Sequence, residues 1–226
     1  MNTDKHRWGK GGRGGMEEAM VDVLVKQFAL GPMDNFGYLV GDAQAKVAAV
    51  IDPSFDAREI QREAGRLGLR IELVLLTHGH PDHGDDAKRL ARETGAKIAA
   101  HRASGVAKDL ELDDGSVLRL GSVEVKVLHT PGHTPDSCCF LAGKALFTGD
   151  TLFVGECGRA DLPDSSVAAM HDSLLRVVRG LPDELIVYPG HDYGPSPTST
   201  IGHEKAHNYT LKSRSISEFR LFMREP

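Results

Sequence analysis

The chain has 226 residues, 40% hydrophobic and 26% charged, with a net charge of -5 and both signs spread along its length. That composition suits a globular protein with one sizeable core, and the charge balance excludes a basic nucleic-acid-binding surface. No apolar run approaches membrane-spanning length, and three cysteines, Cys138, Cys139 and Cys157, with the first two adjacent, exclude a disulfide framework.

Met1 to Gly15 is basic and glycine-rich and leads into Met16-Glu17-Glu18 with no apolar segment between. Residues 1–20 therefore read as a flexible tail rather than a secretory signal, and the cytoplasm is the expected compartment. Residues 21–226 are expected to form one domain. The oligomeric state is not written in the sequence.

Val21 to Leu30 and Phe36 to Val40 mix apolar and polar residues at strand period, with Gly31-Pro32 and Asp34-Asn35 marking the turn between them. Val47 to Ile51 is a third strand, closed by Asp52-Pro53, and the short connections predict an antiparallel opening to the sheet. Asp56 to Leu67 carries Ile60, Ala64 and Leu67 at helical spacing, with Asp56 as N-cap. Ile71 to Leu76 is an apolar strand that ends in an unusual stretch.

That stretch is Thr77-His78-Gly79-His80-Pro81-Asp82-His83-Gly84, three histidines and an aspartate within six residues. Imidazole and carboxylate suit zinc, iron or manganese, and one short loop cannot aim all four side chains at a single small ion. His78 and His80 fall on the same side of an extended segment, whereas Asp82 and His83 follow Pro81 and can serve a neighbouring position. Gly79 and Pro81 predict a tight, non-helical path.

Asp85 to Thr94 then reads as a helix ended by Gly95, and Ile98 to Ala100 as a short strand. Val117 to Leu120, Val123 to Leu128, Ser137 to Leu141 and Ala145 to Phe147 are strands, Ser165 to Val178 a helix, and Leu185 to Val187 a last strand. The two halves share an order of strands, helix, and strand ending in histidine. Packed together they predict an α+β, four-layer αββα sandwich.

Three further polar residues follow predicted strand ends: His133 in His129-Thr130-Pro131-Gly132-His133, Asp150 in Phe147-Thr148-Gly149-Asp150, and His191 in Tyr188-Pro189-Gly190-His191. Seven candidate ligands divide between two ions: His78, His80 and His133 on one, Asp82, His83 and His191 on the other, with Asp150 bridging. Such a centre, with its ions ~3.5 to 4 Å apart, activates water and polarises an acyl carbonyl. His129 and His101 are assigned supporting or surface roles, and the cysteines are read as packing residues.

These motifs together resemble the metallo-β-lactamase superfamily over about Val21 to Leu211, and within it the glyoxalase-II-like hydrolases and the persulfide dioxygenases. The resemblance implies the αββα fold and the same seven ligands. On the hydrolase side it implies two divalent ions, zinc first and then iron or manganese, and thioester cleavage of the S-lactoylglutathione type by a metal-bridged hydroxide oriented by Asp82 and Asp150. It also implies a glutathione-conjugate contact at Arg159, in Cys157-Gly158-Arg159, and at Tyr193, after His191-Asp192. The alternative it implies is a single Fe(II) on the residues His78, His133 and Asp150, oxidising glutathione persulfide. A non-catalytic binding protein on the same fold ranks last, because all seven candidate ligands are intact.

Overall fold

The computed structural model describes residues 23–223. The expected tail lies outside the described residues. β1 (Leu24–Leu30), β2 (Asn35–Asp42) and β3 (Val47–Ile51) form the expected antiparallel opening. Helix α1 (Arg58–Arg66) then returns the chain so that β4 (Arg70–Leu75) lies parallel to β3, and β5 (Lys97–His101) and β6 (Leu110–Leu112) continue in parallel. These six strands form one sheet in sequence order.

The second sheet mirrors this plan. β7 (Val117–Leu120), β8 (Val123–His129), β9 (Cys138–Ala142) and β10 (Ala145–Gly149) run antiparallel. A helical crossover then brings β11 (Ile186–Pro189) parallel to β10, and β12 (Ser199–Thr200) closes the edge. The crossover begins with α4 (Val167–Asp172), capped by Ser166, whose hydroxyl accepts from the Ala169 N–H, and continues through a π turn over Ser173–Val177. Helices α5 (Ile201–His207) and α6 (Ile216–Phe222) follow β12.

Alternation along the strands explains the layers. Val47, Ala49 and Ile51 of β3 face the second sheet and meet Val125, Val127, Phe140 and Phe147, whereas Ala48 and Val50 face outward to Ile60 and Ala64 of α1. On the other side Cys139, Leu146 and Val187 pack against Met170, Leu174, Ile201 and Phe219 of the second helical layer. Both faces of each sheet are thus covered, which is the expected αββα arrangement. Among the described residues no helix is long and apolar enough to cross a membrane.

Local expectations needed three corrections. Pro81–Gly84 is a helical turn, α2, because proline fits the first helical position, where its missing N–H is not needed. The helix expected from Asp85 starts at Ala87 (α3, Ala87–Thr94), since Asp85 and Asp86 turn their carboxylates onto the Phe55 and Ala57 N–H groups. Asp56 is not the N-cap of α1; that position is Ala57, although Asp56 still accepts from the Arg58 N–H at 3.0 Å. Gly95 ends α3 at φ 77° as expected.

Candidate metal centre

The parallel strands of both sheets end at the same edge of the sandwich, and the polar loops leave from there. His78 and His80 follow β4, Asp82 and His83 ride on α2, His133 lies between β8 and β9, Asp150 follows β10 and His191 follows β11. All seven sequence-selected residues converge there. His78 Nε2 is 3.1 Å from His80 Nδ1, which is 3.0 Å from His133 Nε2. His83 Nε2 is 3.2 Å from His191 Nε2, and Asp82 Oδ2 is 3.6 Å from both of those atoms.

Asp150 sits between the two groups. Its Oδ1 is 3.3 Å from His83 Nε2, and its Oδ2 is 3.5 Å from both His133 Nε2 and His191 Nε2. His78, His80 and His133 form one set of three donor atoms within 4.8 Å of one another; Asp82, His83 and His191 form another, and His78, His83 and Asp150 a third.

The outer partners fix which ring nitrogen faces inward. His133 Nδ1 donates to the Arg159 carbonyl at 2.9 Å and His191 Nδ1 to the Met33 carbonyl at 2.9 Å, because a carbonyl can only accept. His83 Nδ1 donates to Asp52 Oδ2 at 3.0 Å. The Thr77 hydroxyl also donates to Asp52 Oδ2, at 2.7 Å, which leaves its oxygen to accept from His78 Nδ1 at 3.1 Å. Each of these four rings therefore turns Nε2 into the site, as the atom free to coordinate a cation.

Electrostatics divide the two histidine groups. Burial, reinforced by His83, holds His78 well below the ordinary imidazole range, and burial with His133 lowers His80. Burial also acts to lower His83 and His191, but Asp150 outweighs it, aided at His83 by Asp52, and both rings are raised. Asp150 is held well below the carboxylate range: burial opposes this, but the charge of His83 and the close ring nitrogens of His191 and His83 prevail. Crowded inward nitrogens, a buried anion and a buried Asp150 Oδ1 without a hydrogen-bond partner make a donor set that fits divalent cations.

Two glycines permit this convergence. Gly149, at φ 47°, lets β10 pass against Thr77, whose Oγ1 would stand 2.5 Å from an added Cβ. At Gly190 an added Cβ would meet Asp150 Oδ1 at 2.4 Å and His83 Cε1 at 2.9 Å.

The remaining candidates lie around the rim or outside the centre. Arg159 is exposed and pairs bidentately with Asp161, at 2.9 and 3.0 Å. Tyr193, 54% exposed, stacks on the His191 ring at 4.6 Å and meets Phe153 edge-on. His101 and His129 stack on each other at 3.9 Å, outside the seven. The three cysteines are free and buried, and burial pushes the Cys157 thiol up to about 12, which suits packing and disfavours the nucleophilic thiolate.

Sequence reasoning missed Asp52, read only as a strand-ending turn, and Asn35, read only as part of a turn. Asp52 accepts from the Thr77 N–H, the Thr77 hydroxyl and His83 while only 1% exposed. The available signal was an aspartate at the end of a wholly apolar strand, where burial demands donors.

Fold and site together define a metal-binding enzyme scaffold. The metallo-beta-lactamase superfamily profile matches residues 30–191, and the chain belongs to that superfamily. It is 36% identical over 193 residues to a hydroxyacylglutathione hydrolase of Bradyrhizobium, covering 83% of this chain and 74% of that protein. It is 31% identical over 201 residues to the human mitochondrial persulfide dioxygenase ETHE1, covering 87% and 79%. The crystal structure of ETHE1 from Myxococcus xanthus superimposes with a TM-score of 0.84 at 33% identity, covering 90% of this chain and 92% of that one.

Proposed function

We propose that this protein is a dinuclear metal hydrolase that cleaves a thioester of a small thiol, of the S-lactoylglutathione type. The observation that carries this reading is Asp150, whose two carboxylate oxygens face histidines of both ligand groups. His78, His80 and His133 would hold one ion and Asp82, His83 and His191 the other, with zinc the first choice and iron or manganese next. Two such ions supply a water activated near neutral pH and a Lewis acid for the acyl carbonyl.

The chain's own residues do the rest. Asp82 and Asp150 accept hydrogens of the attacking water, which orients it, and offset the cationic charge. Arg159 stands at the rim with a planar fork that matches a carboxylate of the thiol portion, in exchange for Asp161. Tyr193 offers an exposed aromatic face beside His191. No side-chain nucleophile is needed, consistent with the burial that raises the Cys157 thiol.

A second reading, a single-iron dioxygenase acting on glutathione persulfide, draws support from the mutual 90% and 92% coverage with the Myxococcus ETHE1 structure. It would use His78, His133 and Asp150, a two-histidine, one-carboxylate set. His191→Ala separates the readings. A dinuclear hydrolase loses one ion and most of its thioesterase activity, whereas near-normal thioester turnover in that variant counts against the two-ion mechanism.

A further inference from the structure

We propose that Asn35 is the positioning residue for the Asp82, His83 and His191 group, holding Asp82 in its ligating orientation and tying it to the His191 arm. The inference rests on the dinuclear reading above. Asn35 opens β2, is wholly buried, and forms an isolated antiparallel bridge with His191. The neighbouring backbone completes the tie: the Phe36 N–H donates to the Gly190 carbonyl at 2.8 Å, and the Asp192 N–H to the Asp34 carbonyl at 2.8 Å.

The side chain reaches the other way. Asn35 Nδ2 donates to the Asp82 carbonyl at 2.9 Å and to Asp82 Oδ2 at 3.1 Å, the same oxygen that lies 3.6 Å from His83 Nε2 and His191 Nε2. Two hydrogens on one nitrogen serve the backbone and the carboxylate of one residue at once. A serine hydroxyl has one hydrogen, and an aspartate has none to give at neutral pH.

Asp82 is the member of the group that needs holding. His83 and His191 are 1% and 3% exposed, and each is locked by its own Nδ1 partner. The Asp82 side chain is 21% exposed, so without the amide it is free to turn its carboxylate toward water. Asn35 thus acts on the ion through Asp82. Its side-chain hydrogen bonds both go to Asp82 and none to the other group, His78, His80 and His133.

The test is zinc binding by chelator competition on the full chain: wild type, Asn35→Ala, the near-isosteric Asn35→Leu, Asp82→Ala and the Asn35→Ala/Asp82→Ala double variant. Wild type should bind two ions. Both Asn35 variants should weaken one of them about 10- to 100-fold, as losses of partners behind metal ligands do, and leave the other unchanged. In the Asp82→Ala background, Asn35→Ala should change affinity by less than about twofold, because its target is already gone. Asn35→Leu retains the packing if Asn35→Ala fails to fold. Two ions bound at wild-type affinity in the Asn35 variants, or equal weakening of both, overturns the inference while the dinuclear reading stands. A single ion in the wild type overturns both, and that result is visible before any variant is compared.

Discussion

Asp52 Oδ2 accepts from His83 Nδ1 at 3.0 Å, with both side chains almost entirely removed from solvent. The carboxylate follows β3 and fixes the ring of a candidate ligand 31 residues along the chain. Truncation by Asp52→Ala leaves three buried donors, the Thr77 N–H, the Thr77 hydroxyl and His83 Nδ1–H, without acceptors. The expected loss of stability is about 3–5 kcal/mol, read by thermal or denaturant unfolding. Asp52→Asn should fold but present an amide where His83 Nδ1–H needs an acceptor, with a metal affinity about 10- to 100-fold lower. Unchanged affinity in Asp52→Asn would remove Asp52 from the account.

Arg159 and Asp161 form an exposed ion pair at the rim. If the arginine holds a substrate carboxylate, Arg159→Ala should raise KM for a glutathione thioester about fivefold to tenfold with kcat nearly unchanged. Asp161→Asn, which frees the guanidinium, should lower KM. Steady-state kinetics on glutathione thioesters and on an uncharged thiol ester check both; equal effects on the two substrates would contradict the carboxylate contact.

The histidine electrostatics give a pH dependence with a definite sign. His83 and His191 are raised, so each keeps its proton to higher pH and must give it up to an incoming cation, whereas His78 and His80 are lowered and lose theirs at lower pH. Affinity of the Asp82, His83 and His191 group should therefore fall more steeply between pH 8 and pH 6 than that of the His78, His80 and His133 group. Chelator competition at several pH values reads the two slopes; parallel slopes would contradict the assignment.

All seven ligand candidates were legible because each combines a metal-ligating side chain with an apolar strand end and a glycine or proline bend. The layering was legible too, since the two halves share an order of strands, helix, and strand ending in histidine, and β3 is buried along its whole length. Asn35 was not legible as a site residue, and Asp52 only as a buried aspartate in need of donors, because their partners lie 47 and 31 residues away in sequence. The carbonyls of Arg159 and Met33 leave no trace in residue identity at all. β6 and β12 have only three and two residues, too short for a period to show. The helical turn at Pro81 was misread because proline was taken as a breaker where it serves as a helix start.

The most direct test of the two-ion hydrolase is metal analysis of anaerobically purified wild-type protein, with S-lactoylglutathione hydrolysis and persulfide-dependent oxygen uptake measured on the same sample. The expected result is about two equivalents of divalent metal and thioester cleavage. One iron with oxygen uptake on glutathione persulfide and no thioester cleavage would contradict it.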